Sequence, residues 1–182
     1  MTIQYAILGL LSWHPFSGYD LKKVFADSAA LYWSGNNNQI YTALIQLHKE
    51  GLVTRDVQVQ ESLPAKKIYT ITEKGRAALK QWVLSMPELP EFHNTFLVQL
   101  TWADLLDNRE LDALLASYED EVRVQLLMQQ EKANRQDTSP ARTRREAYLS
   151  EMISQNLIST YQNELSWVGK VRQGLQHLEK PG

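Results

Sequence analysis

Between Asn36 and Thr42 the chain places Asn36, Asn38, Gln39, Tyr41 and Thr42, side chains that exchange hydrogen bonds without carrying charge. Amides and hydroxyls of this kind suit the edges of bases, and a glutamine can grip adenine through two hydrogen bonds at once. Further along stand two adjacent lysines, Lys66 and Lys67, whose ammonium groups suit phosphate. Ser17 and Tyr19 lie at another expected helix start, where free backbone amides also favour an anion. Each group has a plainer alternative. The asparagines can cap a helix, Tyr41 can pack into a core, Ser17 can be a cap with Tyr19 in the core, and paired lysines can belong to a solvated loop.

Other chemistries find little support. There is no cysteine, hence neither a disulfide nor a thiolate metal site. Four histidines, at positions 14, 48, 93 and 177, show no metal-ligand spacing. The run Glu119-Asp120-Glu121 is a helix surface unless one carboxylate ligates a metal. No phosphate loop, nucleophile elbow or zinc-binding helix is present, so no catalytic residue, metal or cofactor is assigned and an enzyme is not expected. No apolar run approaches a membrane span and no secretory signal precedes the first helix, from which a cytoplasmic location is expected. The net charge of −2 is unevenly spread. Residues 1–85 hold nine Lys and Arg against six Asp and Glu, whereas residues 86–182 hold ten against fifteen. A basic patch on the first half could meet a polyanion locally.

The elements that must position these groups follow from periodicity. Ile3, Ile7, Leu10 and Leu11 share one helical face, with Thr2 placed to cap, and His14-Pro15-Phe16 breaks that helix. Ser17, three residues before Asp20, opens a second helix burying Leu21, Val24 and Phe25. Asn36 to Asn38 offer caps for a third, with Ile40, Ala43, Leu44 and Leu47 inside, and Gly51 ends it. The period then becomes two. Val53, Arg55, Val57 and Val59 share a face of one strand, and Lys67, Tyr69 and Ile71 share a face of the next. Glu61 to Lys66 is a wing loop containing Pro64. Thr72 caps a fourth helix whose buried side is Leu79, Trp82, Val83 and Met86. Three short helices, a hairpin and a further helix spell a winged helix-turn-helix.

Met86-Pro87-Glu88-Leu89-Pro90 marks a boundary, since two prolines stop a helix and stiffen a linker. The rest reads as helix: about 94–106, then from Asp107 and Glu110 to about 135, then about 142–178. The expected fold class is mostly α with a small β-hairpin wing. It comprises a winged helix-turn-helix DNA-binding domain over 1–86 and an α-helical dimerisation domain over 91–180. In the last helix Ile153, Leu157, Tyr161, Leu165, Val168, Val171, Leu175 and Leu178 recur about every 3.6 residues. So long a stripe predicts a partner chain, with Ile153, Leu157, Tyr161, Leu165, Val168 and Leu175 as dimerisation residues.

Taken in order, Ile7-Leu8-Gly9-Leu10-Leu11, Gly18-Tyr19-Asp20-Leu21, Gln39-Ile40-Tyr41 with Leu44 and Leu47, Gly51-Leu52-Val53 and Tyr69-Thr70-Ile71-Thr72-Glu73-Lys74-Gly75 with Leu79 resemble the PadR family of bacterial regulators. The C-terminal half is similar to the helical dimerisation region of the family's larger subgroup, with Trp167 a modest addition. The chain departs from the family in having Thr42 where proline usually follows the tyrosine, and Asn38 where glycine or serine is frequent. The resemblance implies a sequence-specific DNA-binding transcription regulator, a repressor in the first instance, acting as a homodimer on an inverted-repeat operator of double-stranded DNA. Its DNA-binding residues would be Ser17, Tyr19, Asn36, Asn38, Gln39, Tyr41, Thr42, Lys66 and Lys67. The competing function is a winged-helix scaffold that binds protein without reading DNA. Trp13, Phe92, His93, Phe96 and Trp102 flank the boundary. They are either packing residues or the walls of a pocket for a small aromatic effector.

Overall fold

A computed structural model describes residues 2–27, 37–58, 66–89, 94–134 and 142–178. The chain forms two units, Met1–Leu89 and Pro90–Gly182. In the first, α1 (Thr2–Leu11) is followed by a short strand β1 (Phe16–Ser17), α2 (Gly18–Asp27), α3 (Asn37–Lys49), β2 (Val53–Gln58), β3 (Lys66–Ile71) and α4 (Glu73–Val83). The core joins Ile7, Leu8, Leu10 and Leu11 of α1 to Leu21 and Phe25 of α2, to Ile40, Ala43, Leu44 and Leu47 of α3, and to Val53, Tyr69 and Ile71 of the sheet. These are the faces that helical spacing predicts.

Local chemistry sets the element ends. The Asp20 amide donates to Ser17 Oγ at 3.1 Å, and the Ser17 amide and hydroxyl reach Asp20 Oδ2 at 3.4 and 2.8 Å, a reciprocal cap for α2. Gly51, at φ +71°, ends α3; its amide donates to His48 O and that of Leu52 to Leu47 O, at 3.0 and 2.9 Å. Thr72 Oγ1 accepts from the Gly75 amide at 3.0 Å and caps α4. Thr2 begins α1, but its expected capping hydroxyl lies outside the described side chains, as do the caps expected of Asn36 and Asn37.

The sheet runs in the order β1-β3-β2, antiparallel throughout, with Val53 opposite Ile71, Gln58 opposite Lys66 and Phe16 opposite Tyr69. β1 was not expected. β2 is an edge strand in which only Val53 is buried; Arg55 and Val57 are exposed, and Val59 and residues 61–65 lie outside the described residues. Val53, Arg55 and Val57 do share a face, opposite Ile71, Tyr69 and Lys67, but in β2 that face is buried only at Val53. The buried side predicted for α4 also needs correction. Leu79 is half-buried and Trp82 stacks on Tyr5 at 4.7 Å, but Val83 and Met86 are exposed. The last turn outruns the core, and Met86 lies past the helix end.

In the second unit, α5 (Thr95–Thr101) is capped by Asn94, and a 3₁₀ turn (Ala103–Leu105) leads to α6 (Asn108–Asn134) and α7 (Arg144–Leu178). Asp107 Oδ1 accepts from the amides of Arg109 and Glu110, while Glu110 Oε2 accepts from the Asp107 amide. Antiparallel α6 and α7 are pinned by Arg172 on Asp112 and by Tyr118, whose hydroxyl donates to Glu164 Oε1 at 2.7 Å. Phe96, Leu115 and Val168 form the buried centre, with Leu111, Trp167, Val171 and Leu175 packed around it. Among the described residues no helix is long and apolar enough to cross a membrane.

Candidate nucleic-acid interface

In the first unit the expected contact residues lie on α2, α3 and β3. With Ile40, Ala43, Leu44 and Leu47 turned inward, α3 must turn Asn38, Gln39 and Thr42 outward, and all three are exposed. Asn36 lies outside the described residues. Tyr41 belongs neither to the core nor wholly to solvent: it is 45% exposed, and its ring lies across Gly18 at the start of α2.

At the start of α2 the two residues proposed for phosphate part company. Ser17 is buried and its hydroxyl is committed to Asp20, so the capping alternative holds and the expected surface contact through that hydroxyl does not. Tyr19, which could have been core, is 67% exposed. The pairing of Ser17 with Ile68 brings the helix start beside β3. There Lys66 Nζ meets Asp20 Oδ2 at 3.0 Å. Lys66 is thus a strand residue held by a carboxylate, not a lysine in the wing loop; Lys67 beside it is exposed. Partial burial pushes the Asp20 carboxyl up, but hydrogen bonds from Ser17 and Lys66 outweigh this and hold it below its ordinary value. Burial raises the phenol of Tyr69, with the Arg55 charge opposing. The Asp20–Lys66 pair was not visible in the sequence, since its members are far apart along the chain.

Of the five aromatic-pocket residues, Phe92 and His93 lie outside the described residues, Trp13 belongs to the first unit, and Trp102 is 67% exposed in the second. Phe96 is core: it stacks on Tyr118 at 3.6 Å and meets Trp167 edge-on at 6.2 Å, so the packing alternative is the correct one for it. Burial raises the Tyr118 phenol, and its bond to Glu164 adds to this. A cavity of about 480 Å³ in this unit is lined instead by Arg109, Leu111, Asp112, Arg172 and Leu175 among others.

The dimerisation stripe divides along its length. Val168 is fully buried within its own chain against the Phe96 and Leu115 cluster, and Leu175 packs on the same cluster. They serve the fold of the single chain, since α5 and α6 cover that end of α7. Ile153 is 46% exposed, and Leu157, Tyr161 and Leu165 are half-buried. Near Ile153, Tyr148 and Leu149 are also exposed, as are Val124, Leu127 and Met128 on α6.

Three helices, a capped turn and a hairpin with an outward polar helix face define a winged helix-turn-helix. Residues 7–81 match the Transcriptional regulator PadR-like family, and residues 93–176 match the Virulence activator alpha C-term family. Residues 7–81 are therefore a PadR-like family domain, and PadR family transcriptional regulators are DNA-binding regulators, not enzymes. The chain is 32% identical over 114 residues to the negative transcriptional regulator PadR of Bacillus subtilis (strain 168), a match spanning 62% of this chain and 63% of that one. It is also similar to Bacillus subtilis PadR solved with operator DNA, at a TM-score of 0.80 and 25% identity, covering 93% of this chain and 96% of that one. For the same protein solved with p-coumaric acid the values are 0.73 and 24%, with 94% and 96% covered.

Proposed function

We propose that the chain is a cytoplasmic repressor that binds an inverted-repeat DNA operator as a homodimer. One observation carries the proposal: α3 of a winged helix turns Asn38, Gln39 and Thr42 outward while Ile40, Ala43, Leu44 and Leu47 are consumed by the core. A helix so arranged offers base-edge hydrogen bonds in a major groove. In this reading residues 1–86 are the DNA-binding domain, with Tyr41, Tyr19, Lys66 and Lys67 contributing around the edge and Asn36, outside the described residues, kept as an expected contact. The solved relative bound to operator DNA and the naming of the curated relative as a negative regulator support both DNA binding and the sign.

Residues 91–180 then form the dimerisation domain, joining two copies through the exposed and half-buried part of the stripe, Ile153, Leu157, Tyr161 and Leu165. A small aromatic effector belongs to the same proposal, supported by the relative solved with p-coumaric acid. It would act by favouring one arrangement of the two DNA-reading heads.

Selection of bound sequences from a random duplex library tests the core of the reading. Recovery of one short palindrome is the expected result. Recovery of no sequence above background would instead support the protein-binding scaffold.

A further inference from the structure

Ile45 lies where the polar surface of α3 is interrupted. At about 100° per residue the side of the helix facing away from Ile40, Leu44 and Leu47 carries Asn38, Thr42, Ile45 and Lys49. Three of these are polar and exposed; Ile45 is a branched aliphatic side chain, 65% exposed. A single apolar residue on a surface needs no explanation by itself. This one sits in the middle of the face presented to DNA, between a hydroxyl and a lysine.

The base edges of a major groove present one apolar group, the 5-methyl of thymine. Resting on the DNA-binding reading, we propose that Ile45 packs on a thymine methyl and makes that base a determinant of each half-site. Three residues of helix advance about 4.5 Å. Ile45 therefore stands about one base step beyond Thr42, because bases rise about 3.4 Å along a strand. Its β-branched side chain is nearly confined to one rotamer in a helix, so little freedom is lost on contact. Lys49 on the same stripe suits a phosphate rather than an apolar protein surface, which favours DNA as the occupant.

Deoxyuridine differs from thymidine by that methyl alone and supplies the test. With the full-length protein and a duplex recovered by site selection, each thymine is replaced by deoxyuridine in turn. Binding is measured for the wild type, Ile45→Ala and Ile45→Val. The expected result is one thymine per half-site at which the wild type loses about fourfold, the value of one buried methyl, and about sixteenfold when both half-sites are changed. Ile45→Ala should show no loss at that thymine while responding like the wild type elsewhere, and Ile45→Val should keep part of the loss. Circular dichroism and sedimentation identical to wild type would show that the alanine variant has lost readout, not fold. If Ile45→Ala keeps the wild-type response at every thymine, or the wild type responds at none, the assignment is overturned while DNA binding stands. Failure to select any site overturns the DNA-binding reading itself.

Discussion

The ring of Tyr41 lies so close over Gly18 that a methyl group built on the glycine would stand 2.6 Å from Cε1 and 3.2 Å from Cδ1. The contact joins the first residue of α2 to the outward flank of α3, and so ties the angle between them to the absence of a side chain at position 18. Gly18→Ala should push the half-exposed ring aside at about 1 kcal/mol, the low end of overpacking costs. It should weaken operator binding more visibly, because the displaced ring belongs to the α3 surface beside Gln39 and Thr42. Thermal unfolding and binding isotherms of Gly18→Ala, Tyr41→Ala and the double variant test this. If the double variant loses as much stability as the single changes added together, the two residues are not coupled.

The same substitution at Gly75 should behave in another way. There a Cβ would meet the Leu52 carbonyl oxygen at 2.1 Å and Ile71 Cγ1 at 2.8 Å. Backbone cannot swing away as a ring can, and that carbonyl also accepts from the Thr72 amide at 3.0 Å. Gly75→Ala should therefore cost about 3 kcal/mol or more, at the upper end for overpacking. A denaturation midpoint within a few degrees of wild type would show that α4 can slide away from the hairpin.

What could be read from the sequence was local or periodic. Ser17 and Asp20 announce a cap because the partners are three residues apart, and Ile40, Ala43, Leu44 and Leu47 announce a buried face because helical geometry repeats. Periodicity does not say where a core ends. Val83 and Met86 continue an apolar pattern past the point where α4 has anything to bury it against. Val168 and Ile153 lie on one stripe, yet only Val168 is buried, in the cluster with Phe96 of α5 and Leu115 of α6. The Lys66–Asp20 pair depends on β1 bringing the start of α2 beside β3, and two residues of strand leave almost no trace in composition. The wing residues 59–65 lie outside the described residues.

That division of the stripe separates two kinds of substitution. Val168→Ala should destabilise the chain itself by about 2 kcal/mol, the cost of removing buried methyl groups. Ile153→Asp with Leu157→Asp places charge where the single chain leaves apolar surface partly exposed. It should dissociate the proposed dimer by several kcal/mol while leaving near-native helicity. Sedimentation at several concentrations, followed by circular dichroism of the same samples, reads both effects. A wild-type chain that stays at 21.0 kDa at micromolar concentration would remove the dimer from the proposal.

Lys66 and Lys67 are neighbours with unequal electrostatic freedom. Lys66 is held by Asp20 at 3.0 Å, so much of its charge is already balanced, whereas Lys67 is exposed. If each dimer sets two copies of Lys67 against phosphate, Lys67→Ala should lower the slope of log K against log salt by up to about 1.8, at 0.9 per contact. Lys66→Ala should lower it by much less. Asp20→Asn keeps an acceptor for the Ser17 cap but releases Lys66, so both the slope and the affinity for scrambled duplex should rise. Acid gives an independent reading. Asp20 titrates below its ordinary value in the folded chain, so its contribution is complete above about pH 3.9, the unfolded value, and is lost as pH falls through the lower folded one. Both side chains are more than a third exposed, which limits the pair to under about 1 kcal/mol. The wild type should therefore unfold slightly above Asp20→Asn at neutral pH and lose that advantage only in strong acid, with nothing changing between pH 6 and 8. Equal slopes for Lys66→Ala and Lys67→Ala would mean that the pair opens when DNA arrives and that Asp20 does not shield Lys66.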